Sequence, residues 1–192
     1  QARVAAMLTL TLRGGVFIYY GEELGMHDVP IPADQMQDPW EKFEPGKGRD
    51  PERTPMQWSP DLHAGFSNVK PWLPVADDFD KINVEVEKDN PKSFLVLYRK
   101  LISLRKENLA IKLGNYQSES HAPKDCYIYY RQYKQERLMV ALNFSDKRQE
   151  ITSPSLKGGE IILSTFLDRT GQFDDTKISL RANEGCVIRL TV

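Results

Sequence analysis

The first dozen residues are mostly apolar, with Val4, Met7, Leu8 and Leu12 toward one side of a helical wheel and small alanines on another. Residues 1–13 are therefore expected to be helical, with Gly14-Gly15 as the stop. Val16-Phe17-Ile18-Tyr19-Tyr20 follows, β-branched and aromatic with no polar alternation. Such a run suits a strand buried on both faces, as in a parallel sheet. Helix, paired glycines and buried strand follow the order of an α/β unit.

Across residues 21–90 the periodicity is lost. Nine of the twelve prolines fall between Pro30 and Pro74, and all three tryptophans, Trp40, Trp58 and Trp72, lie here. A long irregular stretch in a compact domain is usually functional, and barrel enzymes carry such loops after their strands. Trp58 and Trp72 are read as packing within the loop. Trp40 and Phe43 lie in the same stretch.

A helix is then expected with Asn90 as its N-cap and Pro91 at its first position. Phe94, Leu97, Tyr98, Leu101, Ile102 and Arg105 hold helical spacing to about Lys106. After roughly residue 110 the pattern shortens. Runs at 126–133, 137–144, 148–153, 160–165, 177–180 and 185–192 alternate or cluster apolar residues. Turn residues at 143–146, 157–159, 169–171 and 183–185 divide them. This predicts an antiparallel meander or sandwich.

Composition narrows the function classes. The 192 residues carry a net charge of -1, so no basic field exists to draw nucleic acid or an anionic membrane. No apolar run approaches the ~18 residues of a membrane span. Cys126 and Cys186 are too few for a disulfide framework or a cysteine zinc site. They read as partly buried thiols, with pairing left open if their strands are adjacent. His27, His63 and His121 share no metal-ligand spacing. Asp77-Asp78 with Asp80 lacks the glycine and terminal glutamate of a calcium loop. Neither a metal nor a cofactor is expected. There is no initiator Met and no signal-peptide pattern at the start, which suggests a piece of a longer chain. The compartment is not specified; a cytoplasmic one is compatible.

Three stretches carry a family resemblance: Tyr19-Tyr20-Gly21-Glu22-Glu23-Leu24-Gly25-Met26; Gly48-Arg49-Asp50-Pro51-Glu52-Arg53-Thr54-Pro55-Met56-Gln57-Trp58; and Ala64-Gly65-Phe66-Ser67-Asn68 with Pro71-Trp72-Leu73-Pro74-Val75 and Ile82-Asn83-Val84-Glu85. In this order and spacing they resemble the alpha-glucosidases and oligo-1,6-glucosidases of the alpha-amylase superfamily. The resemblance implies an α/β plus all-β fold: the C-terminal part of a TIM (β/α)8 barrel followed by a small antiparallel β-sandwich domain. Residues 1–110 would supply the last barrel strand, the long loop and the last helix, and residues 111–192 the β domain.

The resemblance also implies retaining hydrolysis of α-glucosidic bonds in malto- or isomalto-oligosaccharides. The two catalytic carboxylates of such an enzyme stand about 5–5.5 Å apart. In the family these, and a further sugar-binding aspartate, precede the point where this chain begins. No catalytic residue is therefore expected here, and the chain alone is expected to be inactive. Its partner would be the upstream barrel portion of the same protein. Arg53 is the candidate sugar-binding residue, paired with an upstream aspartate, and Arg49 is the alternative; a guanidinium fork can hold a carboxylate and a hydroxyl together. Glu22 and Glu23 point opposite ways if they end a strand, so they are read as structural.

Sucrose isomerases and trehalose synthases share these motifs. A non-catalytic barrel relative, such as a transporter heavy-chain ectodomain, is the alternative of another class. A carbohydrate-binding β module would need an exposed aromatic row that the strands lack.

Overall fold

In the computed structural model, which describes residues 1–191, the first ten-residue helix, α1, is Ala2–Thr11. Three alanines and no glycine or proline favour it. Further helices are α2 (Trp40–Phe43), α3 (Val84–Lys88), α4 (Phe94–Glu107) and α5 (Leu109–Leu113). The strands are β1 (Asn115–Ser118), β2 (Cys126–Tyr133), β3 (Glu136–Asn143), β4 (Gln149–Thr152), β5 (Glu160–Ser164), β6 (Gly171–Gln172), β7 (Lys177–Leu180) and β8 (Gly185–Leu190). Two units separate: Gln1–Phe17 together with the chain from Leu97 on, and Ile18–Val96.

The first unit is built on a six-stranded sheet in the order β1-β2-β3-β8-β5-β6, antiparallel throughout; β4 and β7 form a second, two-stranded sheet. Successive side chains alternate between faces. On one face Ile128, Tyr130, Met139, Ala141, Cys186, Ile188 and Leu190 meet Ile151, Ile178 and Leu180 of the small sheet in a single apolar cluster. The intervening residues Tyr129, Leu138, Val140, Leu142 and Val187 point the other way and are equally buried. They face helices α1 and α5. A central sheet covered on both sides explains why β3 reads as an almost unbroken apolar run. Gly185 marks a close approach of α1 to the sheet: a Cβ there would lie 2.8 Å from Leu142 Cδ2 and 2.9 Å from Met7 Sδ.

Two arginines hold the C-terminal end of α1, Arg105 from α4 and Arg131 from β2 of the sheet. Arg105 donates from Nη1 to the carbonyls of Leu10 (2.9 Å) and Leu12 (2.8 Å), and its guanidinium also donates to the Gly14 carbonyl. The fully buried Arg131 donates to Thr11 O (2.7 Å) and Gly114 O (3.0 Å). Cations at a helix C-terminus satisfy the unpaired carbonyls and complement the dipole. The Tyr129 hydroxyl and Thr11 Oγ1 lie 2.5 Å apart, adding a second tie.

The 183–185 turn has Asn183 at φ 52 and a fully buried Glu184. That carboxylate accepts from Arg181 N (2.8 Å) and Arg181 Nη2 (2.7 Å), so the buried charge is paired. Cys126 and Cys186 are both free thiols. Burial pushes the Cys186 thiol up to about 12, which makes it inert at neutral pH.

Six strands fall where the apolar runs predicted them. Three expectations change. Residues 16–20 form no strand: among the described residues they have no ladder partner, and Phe17 is 92% exposed. A parallel strand exists only against neighbours, and this unit offers its backbone none. The long helix begins at Phe94 rather than Pro91, because Ser93 Oγ accepts from Val96 N (3.1 Å) and acts as the cap. Asn90 instead closes a local turn onto Lys92 N (3.0 Å). Helix α5 and strands β1 and β6 were not anticipated. α5 has its own cap in Asn108, which accepts from Ile111 N.

The second unit has little regular structure. Its buried apolar cluster is Leu24, Met56 and Leu95, with Met26, Ile82 and Val84 packed around it. The motifs noted in the sequence hold it together. Val84 N donates to Gln57 O (3.1 Å) and Glu85 N to Trp58 O (3.0 Å), and the Gln57 side-chain amide donates to the Ile82 carbonyl. Asn83 caps α3 by accepting from Val86 N (2.8 Å). His63, Ala64 and Gly65 are consecutive left-handed residues; at Gly65 (φ +65) a Cβ would sit 2.5 Å from Ser59 Oγ. Trp58 and Trp72 are not packed as expected but largely exposed.

Candidate functional site

The site is assembled by carboxylates that hold backbone. Asp50 Oδ2 accepts from Gln37 N (2.6 Å) and Asp38 N (2.8 Å), drawing residues 37–38 onto the start of the 3-10 turn Pro51–Arg53. Pro51 presets that turn, and Arg53 N donates back to Asp50 O (3.0 Å). Asp38, thus placed, becomes the hub. Its Oδ1 accepts from Trp40 N (3.0 Å), and its Oδ2 accepts from Arg49 N (3.0 Å) and Arg49 Nε (3.2 Å). Arg53 Nη1 stands 3.6 Å from the same oxygen. Both candidate arginines therefore converge on one carboxylate, with Arg49 the closer of the two.

The electrostatics decide what Asp38 can do. The N–H of Trp40, then that of Arg49, then the Arg49 side chain hold its carboxyl down at about 2, against the opposing effect of burial. A general acid needs a raised pKa. Asp38 is thus a permanently ionised anchor. Asp50 is likewise committed to two N–H donors. The arginines stay accessible, with side chains 44% exposed for Arg53 and 60% for Arg49. A guanidinium carries five donors, so one held by a carboxylate keeps others for a ligand hydroxyl.

Arg53 lies on the wall of a recess of about 330 Å³, which Tyr20, Met56, Phe66, Trp72 and Leu73 also line. Tyr20 donates its hydroxyl to Thr54 O (3.0 Å). Burial raises its pKa, so it is a neutral donor rather than a nucleophile. An apolar recess with a cationic fork at its edge is suited to a polyhydroxylated ring, which offers an apolar C–H face and a polar rim.

Glu23 Oε2 accepts from Gly21 N (2.8 Å), the structural role read from the sequence, and Glu22 is exposed. Among the described residues there is no group of three His, Cys, Asp or Glu placed to hold a metal, and no helix long and apolar enough to cross a membrane. Asp38 was not identified from sequence. Its signal was the Gln37-Asp38-Pro39 step, an aspartate poised to accept the N–H two residues on. Phe66 and Trp72 were noted only as motif and packing residues.

The model of the alpha amylase catalytic domain matches residues 1–114. An oligo-1,6-glucosidase of Parageobacillus thermoglucosidasius is 33% identical over 189 residues, covering 86% of this chain and 34% of that protein. A glucan 1,6-alpha-glucosidase of Streptococcus pneumoniae is 35% identical over 171 residues, covering 79% and 32%. Among solved structures, the trehalulose synthase MutB of Pseudomonas mesoacidophila superposes with a TM-score of 0.85 at 30% identity, over 99% of this chain and 38% of that one. The isomaltulose synthase PalI of Klebsiella gives 0.84 at 30%, over 98% and 38%. The chain thus spans about a third of the length of the curated relatives it matches. With the family model covering more than half of its residues, and whole-chain agreement with these structures, the chain belongs to the alpha-amylase family.

Proposed function

We propose that this chain is the C-terminal part of a retaining glycoside hydrolase that cleaves terminal α-glucosidic bonds of oligosaccharides, of the alpha-glucosidase, maltase or oligo-1,6-glucosidase type. On this reading residues 1–110 belong with a (β/α)8 barrel, residues 16–20 joining it as a strand once parallel neighbours are supplied. Residues 111–192 form an antiparallel β domain. The observation that carries the reading is the convergence of Arg49 and Arg53 on ionised Asp38 beside an aromatic recess, in a chain 33% identical to an oligo-1,6-glucosidase.

The arginines grip hydroxyls of the terminal glucose, and Asp38 fixes the guanidinium geometry so that little ordering remains to be done on binding. The nucleophile and the general acid lie outside this chain, in the part of the relatives' length that it does not span. The 192 residues alone are therefore inactive. The partners are small α-glucosides and the remaining barrel of the same protein.

A second reading, sucrose isomerisation, is favoured by the structural likeness to MutB and PalI. A screen of the full-length protein against maltose, isomaltose, sucrose and trehalose separates the two. Release of glucose from isomaltose or maltose supports hydrolysis. Conversion of sucrose into an isomeric disaccharide supports the second reading. Turnover of none of the four sinks both.

A further inference from the structure

Trp40 and Phe43 sit on the one-turn helix α2, 53% and 80% exposed, with ring centroids 6.2 Å apart and planes tilted by 54°. Large exposed aromatics in loops are usually mobile or draped over neighbours. Here the backbone beneath them is fixed by carboxylates. Asp38 Oδ1 takes the Trp40 N–H (3.0 Å). Glu41 takes two more N–H groups, Gly46 with Oε1 (2.7 Å) and Gly48 with Oε2 (2.8 Å). Asp50 holds residues 37 and 38. These are short, charge-assisted bonds, and together they close the loop at both ends. The ordering is not accompanied by burial of either ring, so folding of this unit gains little from it.

We propose that Trp40 and Phe43 form a preorganised stacking platform for a glucosyl ring of an oligosaccharide, further along the chain than the unit held by Arg49 and Arg53. The proposal rests on the function proposed above. The apolar C–H face of a pyranose matches an indole or phenyl face, and a backbone held in place beforehand leaves only the side-chain torsions to be ordered on binding. The exposed Lys42 and Glu44 flank the rings with a donor and an acceptor for hydroxyls. Asp38 links the two sites directly: the carboxylate that positions Trp40 also positions Arg49, so platform and arginine share one rigid support.

The test compares kcat/KM of the full-length protein for maltose and maltotetraose, and for isomaltose and isomaltotetraose. In Trp40→Ala the tetrasaccharide-to-disaccharide ratio is expected to fall about ten-fold. Trp40→Phe recovers most of it. Trp58→Ala, which removes an exposed tryptophan outside this loop, leaves the ratio unchanged. Equal loss on both substrate lengths, or no change, overturns the platform. So does a fall in stability that Trp40→Phe rescues while the ratio stays constant, since that is the signature of rings covered by protein. If the full-length protein cleaves no α-glucoside, the functional reading fails separately. Isothermal titration with maltotetraose then decides: binding weakened in Trp40→Ala supports the platform, and identical binding overturns it.

Discussion

The two units of this chain are held by different physics. The β unit encloses a sheet covered on both faces, with Leu138, Val140, Leu142 and Val187 directed to one side and Met139, Ala141, Cys186 and Ile188 to the other. Its cohesion is apolar burial, non-directional and proportional to area. The loop unit buries only scattered apolar residues, Leu24, Met56, Leu73 and Leu95 among them, and is shaped by Asp38, Glu41, Asp50 and Asn83 accepting backbone N–H groups. The lesson is one of division of labour. Burial supplies stability where shape is repetitive, whereas directional bonds supply position where large side chains stay exposed.

That contrast can be broken at four points, in order of decreasing effect. Ile188→Ala in the middle of β8 should cost about 2–5 kcal/mol in urea unfolding, as a large-to-small change in a closed core does. A cost below about 1 kcal/mol would mean the sheet is not carrying the unit. Arg53→Ala in the full-length protein should lower kcat/KM on its best α-glucoside by about 2–4 kcal/mol, with the fold intact by circular dichroism. Wild-type kinetics would remove Arg53 from the site, and a larger loss in Arg49→Ala would transfer its role to the closer arginine. Gly65→Ala should cost about 1–2 kcal/mol, the penalty of a left-handed residue with a side chain, and more if Ser59 cannot move away. Thermal melts measure it, and an unchanged melt would show the 63–65 turn to be adaptable.

The smallest effect concerns pH. Asp38 has a folded-state pKa depressed to about 2 from an ordinary 3.8. Its contribution is therefore complete above about pH 4 and is lost as pH falls through 2. The protection of the Trp40 and Arg49 amides, relative to their intrinsic exchange rates, should stay constant from neutral pH to about 4 and fall below it. The Asp38→Asn variant should be less protected above about pH 4 and should converge with the parent as pH falls through about 2. Identical exchange in the two proteins would mean that charge on Asp38 is not what orders the loop.

The sheets were legible because strand periodicity is a local signal that burial reinforces. The run at 126–133 became β2 without adjustment, and the turn at 183–185 carried its Asn and Gly in the sequence itself. Short polar β1, the two-residue β6 and the pairing order could not be read, since a strand such as Asn115–Ser118 exists only because β2 offers it a ladder. The aromatic run at 16–20 failed for the converse reason: strand-like composition does not make a strand without a neighbour. At the site, Arg49 and Arg53 were legible from a motif of fixed spacing. Asp38 was not, because an anchor is defined by which N–H groups reach it, and these come from positions 40 and 49.

Sequence alone thus determined which segments are apolar enough to be buried, where the turns fall and which two arginines share one short motif, since each depends on residues close together in the chain. Only the tertiary structure decided that the end of α1 is tied to α4 through Arg105 and to the β sheet through Arg131, that Cys126 and Cys186 stay apart as thiols, and that one carboxylate organises both arginines and the Trp40 loop. Those outcomes are set by directional bonds between residues distant in sequence, whose partners are fixed by geometry rather than by composition.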